Sequence, residues 1–125
     1  MMVRILECAA NVHSTFGSGY TSRVYESALF QELQRAGVPA QRQQGLDVPC
    51  DGLPVGQFVA DILVDARILL QIEVSRVLEE RHLAQGLNYL QATGLETCLL
   101  LNFGAPRLET RRLHSASLCT SPAFL

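Results

Sequence analysis

Two acidic residues with an even spacing, Asp61 and Glu73, lie in the most regular stretch of this 125-residue chain, residues 58–75. Two aliphatic runs flank residues 65–67, and this pattern predicts two paired strands with a three-residue connection. Strand side chains alternate between faces, so we expect one apolar face made of Ala60, Ile62, Val64, Leu70, Ile72 and Val74. The opposite face then carries Asp61, Gln71, Glu73 and Ser75.

Two carboxylates on one sheet face need a physical reason. Burying an unpaired carboxylate is costly, so such a pair is normally protonated, paired with a cation or bound to a metal ion. Mg²⁺ takes one or two carboxylates together with water and phosphate oxygens, which suits this pair. A position at the sheet edge in water, or pairing with arginines, explains the same pattern. From the pattern alone, a metal site and a structural role both stay open.

The composition predicts one globular domain over residues 1–125. Hydrophobic residues make up 48% and charged residues 18%, and a loosely held tail is expected over residues 115–125. No apolar stretch has the length of a membrane span, and Glu7 interrupts the N-terminal segment, so we expect a cytoplasmic location and no membrane partner. The four cysteines lack the spacing of a zinc or redox site.

The charge balance limits the kind of partner. A net charge of −2 argues against strong non-specific binding of nucleic acid by the whole surface, although a local basic patch stays open. All ten basic residues are arginines, and the chain has no lysine. Any chemistry that needs a lysine side chain is therefore excluded.

Periodicity and turn residues predict the remaining elements. Helices are expected over residues 3–14, 20–36 and 78–93, and strands over 39–50, from near Val55, over 97–103 and over 107–114. Asp51-Gly52 is a predicted turn between the first two strands. Gln85 and Tyr89 lie four residues apart, so they project from one side of the third helix. We expect a single core containing Tyr25, Ile62, Ile72, Leu83, Leu87, Leu99 and Leu101.

Several short segments together carry a family resemblance. They are Val12-His13, Gly17-Ser18-Gly19, Val24-Tyr25-Glu26, Glu32-Leu33, residues 60–64, Ile72-Glu73, Ala84-Gln85, Asn88-Tyr89-Leu90, Thr93-Gly94 and residues 100–104. With the order α-α-β-β-β-α-β-β, residues 4–113 resemble the GxxExxY family of the PD-(D/E)XK, or restriction-endonuclease-like, nuclease superfamily. The resemblance implies an α/β fold in which a central mixed sheet of about five strands is flanked by helices.

The resemblance also implies roles for particular residues. Asp61 and Glu73 match the two acidic ligands of Mg²⁺ (or Mn²⁺), and Gln85 and Tyr89 match a helical pair that supports the catalytic site. We therefore expect both carboxylates near a shared point, with Gln85 close by. The implied partner is nucleic acid, DNA or RNA, and a homo-oligomer stays open.

Two positions depart from the family pattern, and at both the family residue has a chemical role. Ser22 replaces a glutamate, and Ser75 replaces the lysine that orients water and stabilises charge on the phosphate. A serine hydroxyl is short and neutral, so it supplies no such electrostatic stabilisation. Arg23, Arg67 and Arg81 are candidates to approach the site instead. Three functions follow as hypotheses: a nuclease with weak or lost cleavage, a non-catalytic interaction or nucleic-acid-binding module, and a structural or regulatory protein.

Overall fold

The computed structural model of the chain describes residues 1–50 and 53–115, with the backbone alone for residues 48–50 and 54–57. These residues form α1 (Met2–Phe16), α2 (Ser22–Arg35), β1 (Ala40–Cys50), β2 (Leu53–Val64), β3 (Ile68–Glu73), α3 (Glu80–Thr93), β4 (Thr97–Asn102) and β5 (Glu109–His114). The predicted order of elements is confirmed. The predicted Asp51-Gly52 turn and the predicted tail after Ser115 lie outside the described residues.

The five strands form one mixed sheet in the order β1-β2-β3-β4-β5. β3 and β4 are parallel, from Ile68 opposite Thr97 to Glu73 opposite Asn102, and the other neighbouring strands are antiparallel. α3 makes the crossover that a parallel pair requires. β4 is buried along most of its length, which confirms the expected central strand, and β1 lies at an edge as predicted.

The sheet separates two apolar layers. α1 and α2 cover one face, where Tyr25, Ile62, Ile72, Leu99 and Leu101 are buried together. α3 covers the other face, and Leu83 and Leu87 pack there against a group made of Ala60, Leu69, Leu90, Cys98, Leu100 and Leu113. The prediction of a single core is therefore wrong. Alternate side chains of a strand covered on both faces enter different layers.

The hairpin between β2 and β3 has the predicted three-residue connection. Its second strand is shorter than predicted, because β3 ends at Glu73 and does not reach Ser75. The Glu73 carbonyl accepts a hydrogen bond from Phe103 N–H at 2.9 Å, and Ser75 N–H donates to the Asn102 side chain at 2.9 Å. The chain thus leaves the strand geometry after Glu73, and Val74 is exposed rather than part of an apolar face.

The connection between α1 and α2 lies against the end of β4. Gly17 has φ of 74°, a left-handed conformation that favours glycine, and its carbonyl accepts a hydrogen bond from the Tyr25 hydroxyl at 2.5 Å. The Tyr25 ring stacks on Phe103 with centroids 4.7 Å apart. This packing fixes the start of α2 relative to the sheet.

Across the described residues, we find no helix with the length and apolar character needed to cross a membrane.

Candidate functional site

Asp61 lies where β2 and β3 separate. Their backbone pairing includes Val64 with Ile68 and Ile62 with Leu70, and it stops there. Beyond this point side chains replace the backbone bonds, since Ile72 N–H donates to Asp61 Oδ2 at 2.8 Å. Asp61 N–H in turn donates to Gln71 Oε1 at 3.4 Å. The Asp61 carboxylate is therefore held in the gap between the two strands.

Glu73 is the last residue of β3, and its side chain is largely buried. His82, in the first turn of α3, places Nε2 3.7 Å from Glu73 Oε1. Burial raises the pKa of Glu73, and the nearby His82 and Arg81 offset part of that rise. The end of β3 and the start of α3 thus meet at this carboxylate.

Glu73 influences the pKa of Asp61 through its charge. Burial raises the pKa of Asp61 from 3.8 to about 6, its bond from Ile72 N–H opposes the rise, and the carboxylates of Glu26 and Glu73 add to it. Burial also raises the pKa of the Cys98 thiol to about 12, with a further contribution from Glu73 and Asp61. Both acids therefore act on the same buried thiol in the layer under α3.

Glu26 is a third carboxylate near Asp61 that our sequence interpretation did not assign to the site. It is 5% exposed on α2 and accepts hydrogen bonds from Arg42 at 3.1 and 3.2 Å and from Gln43 Nε2 at 2.5 Å. Gln43 has φ of 50° and lies in β1 between the residues paired with Ile62 and Ala60. The helical spacing of Glu26 with the buried residues Leu29 and Leu33 is a signal that could have indicated its burial.

Gln85 and Tyr89 contact each other, as their spacing predicted. Gln85 Nε2 donates to the Tyr89 hydroxyl at 2.6 Å, and the Tyr89 ring stacks on Phe58 with centroids 3.9 Å apart. Among the described residues, their hydrogen bonds and ring contacts do not extend to the carboxylates of Asp61 and Glu73. Gln85 is exposed, so its side chain is open to solvent or a ligand.

The main chain around Ser75 is held by a buried polar network. Asn102 is fully buried, and its Oδ1 accepts from Ser75 N–H and from Gly104 N–H. Asn102 Nδ2 donates to Glu109 Oε1 at 3.1 Å, and the same oxygen accepts from Leu78 N–H at 2.8 Å. These bonds fix the segment after β3 without using the Ser75 side chain.

The structure distinguishes the arginines proposed to replace the missing lysine. Arg81 is close enough to lower the pKa of Glu73, although its guanidinium also pairs with Glu79 at 3.0 Å. Arg67 pairs with Asp65 in the hairpin connection, at the opposite end of β3 from Glu73. Ser22, the other departing position, is the exposed first residue of α2.

Asp61 and Glu73 carry the carboxylate oxygens that a divalent cation with several bound waters takes as ligands. Within residues 1–50 and 53–115, no group of three or more His, Cys, Asp or Glu side chains is arranged to hold a metal ion. Two carboxylates suffice for Mg²⁺ when water and phosphate oxygens complete its shell. Burial and the nearby carboxylates of Glu26 and Glu73 raise the pKa of Asp61, so a positive charge beside it would favour its ionised form.

Comparisons with known proteins identify the superfamily and agree with the fold. A model of the PD-(D/E)XK nuclease superfamily, whose members generally use divalent metals, matches residues 1–113. The crystal structure of an alkaline exonuclease (LHK-Exo) from Laribacter hongkongensis is similar, with a TM-score of 0.51 and 12% identity over 89% of this chain and 78% of that chain. LHK-Exo in complex with dAMP gives a TM-score of 0.48 and 12% identity over 99% and 94%. No curated protein matches the sequence.

Proposed function

Because the chain belongs to the PD-(D/E)XK nuclease superfamily, we propose that it is a GxxExxY-type domain that binds Mg²⁺ or Mn²⁺ and cleaves phosphodiester bonds slowly or not at all. One observation carries the proposal. Asp61 lies in the strand gap, the charge of Glu73 at the end of β3 contributes to its raised pKa, and the residue two positions after Glu73 is a serine in a chain without lysine. The proposal thus combines two acidic residues that would serve as ligands with a serine where the family has a lysine.

Asp61 and Glu73 would hold the cation as its protein ligands. A bound divalent cation polarises a phosphodiester and lowers the pKa of water, which is the chemistry it would supply here. The bond from Ile72 N–H orients the Asp61 carboxylate, and Asp61 Oδ1 accepts no hydrogen bond from the described residues. Glu73 is the last residue of β3, and His82 Nε2 lies 3.7 Å from its Oε1.

Slow cleavage follows from the residue at position 75. Its main chain is fixed by Asn102, so a longer side chain there would start from a defined place beside Glu73. Removing one preorganised electrostatic group typically costs roughly 10² to 10³ in rate. Arg81 lowers the pKa of Glu73, but it is exposed and paired with Glu79, and arginine is a poor proton donor.

Nucleic acid is the substrate class that the fold supports, and DNA or RNA both fit the proposal. The net charge of −2 predicts weak binding, because affinity for the phosphate backbone comes from accumulated positive charge. A non-catalytic nucleic-acid-binding or interaction module on the same fold is the alternative, and the serine at position 75 favours it.

Restoring the family residues tests the proposal. Ser75→Lys, alone and with Ser22→Glu, should raise Mg²⁺-dependent cleavage roughly 10²-fold or more above the parent. Ser75→Gln is the matched control, because it adds a long neutral side chain at the same place. Asp61→Asn in the Ser75→Lys background should abolish the gain while keeping an oxygen for Ile72 N–H.

The assay should use single-stranded and duplex DNA and RNA at low salt, with Mg²⁺ and with Mn²⁺. Brisk cleavage by the unmodified protein that disappears in Glu73→Gln would refute the proposal of a degenerate site. Metal binding without any cleavage by Ser75→Lys would favour the non-catalytic module. Light scattering on the same samples would decide whether the protein is a homo-oligomer.

A further inference from the structure

His82 is a buried histidine beside Glu73 that neither the family resemblance nor the strand pattern assigned a role. It is 4% exposed, and it lies in the first turn of α3 on the same helical stripe as Gly86 and Leu90. Its imidazole bridges two elements, because one ring nitrogen faces the start of α3 and the other faces the end of β3.

The contacts of the ring define its tautomer. Glu79 N–H donates to His82 Nδ1 at 2.9 Å, so Nδ1 is the acceptor nitrogen. In a neutral imidazole the proton then lies on Nε2. Nε2 is 3.7 Å from Glu73 Oε1, so the N–H group is the donor nearest to that carboxylate oxygen among the contacts of Glu73.

We infer that His82 is a positioning residue that orients the Glu73 carboxylate for the cation, an inference that rests on the proposed function. The ring is itself fixed by the main chain of Glu79, so its position does not depend on a mobile side chain. Groups that hydrogen-bond to metal-ligating carboxylates fix their orientation, and losing one typically costs 10-fold to 100-fold in metal affinity. A separation of 3.7 Å is longer than a hydrogen bond, and such contacts often shorten when a ligand binds.

His82 differs in this respect from Arg81, the other basic residue near Glu73. The Arg81 side chain is 73% exposed and pairs with Glu79, so water competes for its charge. The His82 ring is shielded from water, and its contact with Glu73 links two rigid elements. A buried donor of this kind selects one carboxylate orientation, which an exposed guanidinium does not.

Two amide substitutions separate the contacts of the two ring nitrogens. His82→Asn keeps an acceptor near the position of Nδ1, and so keeps the bond from Glu79 N–H while losing the donor toward Glu73. His82→Gln keeps a donor near the position of Nε2 and loses the acceptor for Glu79. Calorimetric titration with Mn²⁺ and urea unfolding of the cation-free protein should be measured for both variants and the parent.

We expect opposite rankings in the two measurements. Mn²⁺ affinity should fall 10-fold to 100-fold in His82→Asn and change less in His82→Gln, whereas the urea midpoint should fall more in His82→Gln. Affinity that follows the urea midpoint in both variants would overturn the positioning role and leave the proposed function intact. Absence of Mn²⁺ binding by the parent itself would overturn the proposed function and this role together.

A measurement on the parent covers the case in which a variant fails to fold. The ¹⁵N resonances of His82 should show a protonated Nε2 and an unprotonated Nδ1, and Glu73→Gln should shift the Nε2 resonance. A protonated Nδ1, or an Nε2 resonance that does not respond to Glu73→Gln, would overturn the inference.

Discussion

Replacing Asp61 with asparagine should stabilise the cation-free protein at neutral pH. The amide has the same shape as the carboxylate and keeps an oxygen that accepts from Ile72 N–H, a bond of 2.8 Å in the parent. It removes a negative charge that burial and the carboxylates of Glu26 and Glu73 disfavour. A candidate ligand is thus a source of instability until a cation binds.

The magnitude follows from the pKa of Asp61, which rises from 3.8 to about 6 on folding. The folded protein therefore holds this proton more tightly than the unfolded chain, and stability falls as the pH rises from about 4 to about 6. The rise corresponds to at most about 3 kcal/mol, and solvent screening of a partly exposed carboxylate lowers this to about 1–2 kcal/mol. The free energy of unfolding of Asp61→Asn should exceed that of the parent by this amount above pH 6 and by almost nothing below pH 4.

Urea unfolding in the presence of a chelator, at unit steps from pH 4 to pH 8, measures the effect. Glu96→Gln is the matched control, because it removes a carboxylate from an exposed side chain outside the site. Millimolar Mg²⁺ should then raise the urea midpoint of the parent and not that of Asp61→Asn, because a ligand stabilises the state that binds it. The parent and the variant should therefore exchange rank when the cation is added.

Two results would refute this reasoning about Asp61. If Asp61→Asn gains the same stability at pH 4 and at pH 8, the ionised carboxylate is not the source of the instability. A loss at pH 8 would mean that Asp61 is paired with a positive group, so that its charge stabilises the fold without a cation.

The other predictions concern packing and the site. Leu101→Ala leaves a cavity at a fully buried position under α1 and α2, so the free energy of unfolding should fall by about 2–5 kcal/mol. An unchanged urea midpoint would contradict the placement of β4. A Cβ at Gly104 would lie 2.5 Å from Ser75 N, so Gly104→Ala should cost about 1–3 kcal/mol and weaken Mn²⁺ binding as the segment after β3 moves. Gly86→Ala is the matched comparison, because its Cβ would meet the flexible end of the Leu113 side chain at 2.6 Å. Alanine is also more favourable than glycine within a helix by about 1 kcal/mol, so the urea midpoint should change less than in Gly104→Ala. Equal losses in the two variants would contradict the argument.

Local sequence patterns were sufficient to predict most of the fold. The alternation around residues 65–67 predicted the hairpin, and the continuous apolar run of residues 97–103 predicted the central strand, because both patterns reflect which faces are covered. The same rule, applied to β4 alone, could have predicted two layers, since Leu99 and Leu100 must enter opposite sides of the sheet. The error was to treat all apolar residues as one set.

The candidate site was harder to predict than the fold, because the side chains around Asp61 and Glu73 come from residues that are distant in the sequence. Glu26 acts on Asp61 from a helix, and His82 contacts Glu73 from another, and no short spacing connects these residues. Each lies on the buried stripe of its own helix, which indicates burial and not the partner. The end of β3 was also mispredicted, because the side chain of Asn102 rather than a strand neighbour takes the N–H of Ser75.

The bond from Ile72 N–H to Asp61 has a consequence for how such a domain changes over evolutionary time. Ile72 is buried, so a substitution that removes its acceptor leaves an unpaired N–H and costs about 1–3 kcal/mol whether or not the protein cleaves anything. The side chain at position 75 makes no such bond, so a lineage that no longer needs cleavage can lose a lysine there without losing stability. Selection for folding alone would keep a side-chain acceptor here, and without a cation it would favour asparagine over aspartate. An acceptor retained at this strand gap is therefore weak evidence of a working nuclease, and the residue two positions after the second acid is the better indicator.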